Sequence, residues 1–202
     1  MNYILFTILG YLSGSILYAC WLPKLICGEN IVEESSDGNP GTANVYKNCG
    51  IFIGTLVLIC ELMKGFLPVY LAGKVTAIKS LLFTPVLVAP VLGHAFPFLH
   101  TKKGGKAIAV SFGVLLGIFP IWQPAVLLAA AYISFSLILI INPHLFRSVF
   151  TFLVFSVLNY LTCPVPSIRL GGVILSGIVI LKHLIKYQNE TFSMKLFRRR
   201  LL

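Results

Sequence analysis

The sequence predicts an all-α integral membrane protein, a bundle of about seven transmembrane helices with the N-terminus outside and the C-terminus in the cytoplasm. Three observations carry that expectation. Of 202 residues, 57% are hydrophobic and 11% charged, and a mean hydropathy of +0.92 excludes a soluble domain of ordinary composition. The apolar residues fall into long runs separated by short polar loops. The net charge of +10 is spread unevenly among those loops, and in a membrane chain the sidedness of charge says more than its sum. No soluble basic domain is present to carry nucleic acid, which is excluded as a partner.

The runs cover residues 3–26, 50–73, 81–99, 107–121, 124–141, 145–161 and 168–184, each near the roughly 20 residues that cross a hydrocarbon core. The first lacks the basic flank of a cleaved signal peptide and reads as a retained span. As one helix, residues 107–141 would reach about 52 Å at 1.5 Å per residue, too long for a bilayer. Pro120-Ile-Trp-Gln-Pro124 is therefore expected to turn the chain, with Trp122 at the interface.

With seven spans, twelve Lys and Arg fall on the side of the first, third and fifth loops and the C-terminal tail, and three on the other side. That asymmetry assigns the C-terminus and the 93–106 stretch to the cytoplasm. Pairs of small residues four apart, Gly10 with Gly14, Gly50 with Gly54 and Gly113 with Gly117, predict close helix packing. There is no internal repeat to support an inverted-repeat transporter and no visible linker, so residues 1–202 read as a single domain. The five cysteines form no C-x-x-C pair or metal-ligand spacing, which leaves them as small packing residues.

Four places could do chemistry. Ser35-Ser-Asp-Gly-Asn-Pro-Gly-Thr-Ala-Asn44 reads as a turn, or as a nest in which Gly38 and Gly41 aim backbone N–H groups at a phosphate while Thr42 to Asn44 open a helix. Glu61 and Lys64 lie three apart on one helical face inside an apolar run, as a locking ion pair or as substrate ligands. His94 closes the third run as an interfacial anchor or a catalyst, and Pro97 ends that helix. Lys103-Gly104-Gly105-Lys106 fails as a Walker A loop, since residue 100 is His and Ala107 is neither Ser nor Thr. It remains a phosphate cradle or a topology signal. Lys182-His183 closes the last run and Lys186 follows, both lysines reading as snorkelling cations, and the Arg-rich tail reads as a solvated or anionic-lipid-binding terminus.

Together these pieces resemble the bacterial acyl-phosphate:glycerol-3-phosphate acyltransferase family, the PlsY type, over nearly the whole chain. Its Gly-Ser-Gly-Asn-x-Gly-Ala-Thr-Asn pattern is similar to Ser36-Asp-Gly-Asn-Pro-Gly-Thr-Ala-Asn44, with the following Arg at Lys47. Its Asp-x-x-Lys-Gly is similar to Glu61-Leu-Met-Lys64-Gly65, and Gly-His-x-x-Pro followed by Lys-Gly-Gly-Lys to Gly93-His94, Pro97 and Lys103 to Lys106. The resemblance implies transfer of an acyl chain from acyl phosphate to the 1-hydroxyl of glycerol 3-phosphate in a bacterial plasma (inner) membrane, the site facing the cytoplasm. Lysophosphatidate and phosphate are the implied products, with no cofactor, metal, acyl-CoA or covalent intermediate. It implies catalytic roles for His94, Lys106 and His183. Substrate phosphate falls to Asp37, Gly38, Asn39, Gly41, Asn44, Lys47, Lys64, Lys103, Gly104 and Gly105. Asp37, the reversed Thr42-Ala43, Lys47, Ala107 and Lys186 depart from the family pattern. They leave open another acceptor, or an anion binder or transporter on the same scaffold.

Overall fold

The computed structural model describes residues 1–35, 38–99, 104–185, 187 and 191–196. The first apolar run is helical but broken, into α1 (Asn2–Ser15) and α2 (Tyr18–Ile26), which bend by 41°. The break follows Gly14-Ser15, residue types at which helices kink. It leaves Ile16 extended, with φ −73° and ψ 113°.

A single turn, α3 (Ile31–Glu34), precedes α4 (Thr42–Val75), which begins in the loop ahead of the expected second run. Inside α4, Gly50 takes φ 77° and ψ −177°, a conformation that L side chains rarely adopt. This corrects the expectation that Gly50 and Gly54 pack a neighbouring helix. Gly50 faces open space and makes the kink, while Gly54 sits against the Tyr46 ring from the other side of it.

Next come α5 (Phe83–Ala95) and α6 (Ile108–Gly117). The expected turn then carries an edge-on Phe119 and Trp122 pair 5.1 Å apart. α7 (Gln123–Ile133) widens into a π-helical turn over Ser134–Ile138. The fifth run then leaves helix altogether: β1 (Leu139–Asn142) pairs antiparallel with β2 (Ser193–Leu196), Leu139 opposite Leu196 and Asn142 opposite Ser193. The fold is therefore mostly helical rather than all-α. Pro143 disfavours helix at Asn142, and Ile140 and Ile141 are β-branched. α8 (His144–Thr162) and α9 (Pro166–Ile185) complete the bundle.

Apolar side chains such as Phe52, Leu161 and Ile185 face outward, while Glu61, Lys64, Ser148, Asn159 and His183 are buried. That arrangement suits lipid outside and polar contacts inside. α4, α8 and α9 are long and apolar enough to cross a membrane, as is α1 with α2 counted as one bent span; α5, α6 and the α7 segment are shorter apolar helices. In lipid, helices associate through close packing and hydrogen bonds. α1 meets α5 where Gly10 and Gly14 face Pro90 and Gly93 faces the Tyr11 backbone. α4 meets α6 where Gly113 faces the Leu62 backbone and Gly117 faces Phe66 and Val69. Thr84 Oγ1 donates to Ser167 O at 3.2 Å and Asn159 Nδ2 to Ile168 O at 3.0 Å.

Candidate active site

The site begins where α4 begins. Gly38 sits at φ 54° and turns the chain so that Asn39 is buried and Gly41 caps the helix. Gly41 N–H donates to Asn39 O at 2.8 Å, and the Asn44 side-chain amide donates to the same carbonyl at 2.9 Å. The Asn44 side chain therefore closes the loop. The Thr42 and Ala43 amides belong to the unpaired first turn that makes a helix start attractive to anions.

One level deeper, Glu61 and Lys64 are paired. Lys64 Nζ lies 2.7 Å from Glu61 Oε2, and the two residues are 3% and 2% exposed respectively. Lys64 Nζ also donates to Ile16 O at 2.6 Å, the carbonyl that the break between α1 and α2 sets free. Ser13 Oγ returns a bond to Lys64 O at 2.9 Å. His94 completes the cluster, its Nδ1 3.1 Å from Glu61 Oε2 and 2.8 Å from Lys64 Nζ. A buried charge needs such partners, and the α1–α2 break, α4 and α5 each supply one.

The other edge of the His94 ring borders the glycine loop. Gly105 N–H donates to His94 O at 3.1 Å. A Cβ at Gly105 would run into His94 Nε2, and one at Gly104 into Ala95 O. The pair is glycine because the loop lies directly on the end of α5. Ala107 then caps α6 in the left-handed region, φ 59° and ψ 18°, at the position where the resembled motif has glycine.

These parts line one cleft of ≈ 610 Å³. Asn39 to Asn44, Lys47, Glu61, His94, Lys106 and His144 supply its polar wall, and Leu58, Leu62, Ile108, Phe112 and Leu145 its apolar wall. The starts of α4, α6 and α8 all open into it, through Thr42, Ile108 and His144. Two lysines, two histidines and three helix starts, beside an apolar wall, can hold a phosphate with its attached chain.

Of the residues expected from sequence, Asn39, Gly41, Asn44, Lys47, His94 and Lys106 meet here. Gly38, Gly104 and Gly105 shape the adjoining backbone. Asp37, Lys103 and Lys186 lie outside the described residues. Lys64 sits behind Glu61 rather than in the wall. His94 is no interfacial anchor, being 5% exposed. Lys182 does not snorkel: it is buried, with Nζ 4.8 Å from the centre of the Phe96 ring. His183 is fully buried, its Nδ1 2.8 Å from Val179 O and its ring stacked on His144 with centroids 6.1 Å apart. The cysteines carry no disulfide; Cys163 is buried as a packing residue while Cys27 is exposed.

His144 was not among the expected residues. Its only signal is an isolated histidine after Asn142-Pro143, a helix-start dipeptide that reads as a turn.

The profile of the family described as "Glycerol-3-phosphate acyltransferase" matches residues 4–190. The chain is 32% identical over 196 residues to the glycerol-3-phosphate acyltransferase of Streptococcus thermophilus strain CNRZ 1066, covering 91% of this chain and 87% of that one. It is 33% identical over 209 residues to the one of Streptococcus mutans serotype c, covering 96% and 94%. The crystal structure of PlsY, an integral membrane glycerol 3-phosphate acyltransferase, in its glycerol 3-phosphate form superposes with a TM-score of 0.79 at 25% identity, covering 92% of this chain and 90% of that one.

Proposed function

Because this chain belongs to the glycerol-3-phosphate acyltransferase family, we propose that the cleft between the starts of α4, α6 and α8 is where it acylates glycerol 3-phosphate, drawing the acyl chain from acyl phosphate. The protein is a membrane acyltransferase of phospholipid synthesis. The observation that supports placing the chemistry here is the cleft itself, where Lys47, Lys106 and His94 stand beside an apolar wall. Both proposed substrates carry a phosphate, and the acyl phosphate carries a chain as well.

In this reading the 1-hydroxyl oxygen attacks the acyl carbon, the bond from that carbon to the phosphate oxygen breaks, and lysophosphatidate and inorganic phosphate leave. The hydroxyl proton passes to a substrate phosphate oxygen. Lys106, Lys47 and Lys103 neutralise phosphate charge, and Asp37, Gly38, Asn39, Gly41 and Asn44 form the loop that seats a phosphate. Gly104 and Gly105 let the backbone approach. Lys64 acts by holding Glu61 and His94 in place; His94 orients the reactants from the cleft wall, and His183 does so from the layer behind it. Catalysis is then mainly positioning and charge stabilisation.

The topology belongs to the same proposal: seven crossings over one domain of residues 1–202, N-terminus outside and C-terminus in the cytoplasm of a bacterial plasma (inner) membrane. The grouping of Lys47, Lys106 and His144 around one cleft supports it, because these residues fall between the apolar runs, in the segments that carry most of the positive charge.

The test is incubation of purified protein with acyl phosphate and glycerol 3-phosphate. Lysophosphatidate is expected, with little when acyl-CoA is the donor. No lysophosphatidate above a Lys106→Ala control sinks the proposal.

A further inference from the structure

We propose that His144, rather than His183, is the histidine of the α8 and α9 side that touches a substrate phosphate, and that His183 acts through it. This rests on the cleft being the acyl-transfer site. His144 is the first residue of α8 and lines the cleft. His183 is 0% exposed and does not line the cleft; its ring stacks on that of His144, centroids 6.1 Å apart and inclined by 23°, so the His144 ring links it to the cleft.

The surroundings fix the His144 ring from two sides. Ser148, one turn further along α8 and fully buried, places Oγ 3.4 Å from His144 Nδ1. His183 is in turn held by its Nδ1, 2.8 Å from Val179 O on α9. An imidazole docked between a helix turn and a second ring loses little freedom on meeting a ligand. It stands at a helix start, where the partial positive charge adds to its own donors. Among the other polar groups of the cleft, the cations Lys47 and Lys106 approach from the α4 and α6 sides. His144 gives a phosphate its contact from the α8 side.

The ligand is a phosphate monoester or acyl phosphate anion, and kinetics decides which. The full-length protein in nanodiscs is assayed for lysophosphatidate with each substrate varied in turn. Folding of every variant is checked by thermal unfolding. His144→Ala is expected to raise KM about tenfold for one of the two phosphate substrates, with kcat within about threefold. His144→Gln, which keeps an N–H donor, is expected to recover most of that loss. His183→Ala is expected to raise the same KM, and to add little in a His144→Ala background. A second arm needs no turnover: protection against thermal unfolding by inorganic phosphate should weaken about tenfold in His144→Ala. If wild-type protein makes no product, the acyltransfer reading fails and this arm alone decides the role of His144. Unchanged KM for both substrates with unchanged phosphate protection overturns the proposal. So does a His183→Ala loss fully additive to that of His144→Ala.

Discussion

Lys64→Met severs the buried cluster at its centre. It removes the ammonium that lies 2.7 Å from Glu61 Oε2 and leaves a carboxylate at 2% exposure, whose Oε1 has no hydrogen-bond partner among the described residues. At that distance the pair attraction is about 6 kcal/mol at an effective dielectric near 20. Desolvation of both ions offsets much of it, and breaking one side of such a pair costs about 3–5 kcal/mol. The same substitution also orphans Ile16 O, which Lys64 serves at 2.6 Å. Replacing both ions, Glu61→Gln with Lys64→Met, removes the uncompensated charge, and the double variant is expected to regain most of the loss. The assay is reversible unfolding of the four proteins in mixed micelles of rising SDS fraction, giving a coupling energy of about 2–3 kcal/mol. Losses of the single variants that add to within about 0.5 kcal/mol would refute the argument that these charges stabilise one another.

Gly105→Ala drives a methyl into His94 Nε2 and should lower kcat about 100-fold, the cost of a displacement near 1 Å in a catalytic group; activity within threefold of wild type would contradict the placement of the loop on the His94 ring. Gly50→Ala meets open space but forces a side chain to φ 77°. It should destabilise by about 1–3 kcal/mol and swing the start of α4, seen as a raised KM for glycerol 3-phosphate; an unchanged KM with unchanged stability would count against the kink.

How much of this was readable in advance depends on the range of the cause. Glu61 and Lys64 were legible because a helical pair three apart needs only the helix to exist. The Gly93-His94 and Gly-Gly-Lys halves were legible through a recurring motif. Gly50 was misread because a glycine that packs and a glycine that kinks are the same letter, and only its φ distinguishes them. The break after Ser15 followed from no proline, and its meaning depends on Lys64, 48 residues on. β1 and β2 pair across more than fifty residues, a contact that local propensity does not report. His144 escaped notice because its place in the cleft depends on the start of α8 meeting the starts of α4 and α6, which lie far away in the chain.

The placement of Glu61 and Lys64 on one helix also bears on how the chain enters the membrane. A lone charge at mid-bilayer costs about 2.5–3.5 kcal/mol during insertion. Two opposite charges one turn apart can travel as a neutral pair, so α4 need not wait for another helix to cancel its charge. Their remaining partners, Ile16 O and His94, lie on the α1–α2 break and on α5, elements made before and after it. The cluster can thus serve as a docking point at which three separately inserted segments find their register, and the candidate site cannot form before the last of them has arrived.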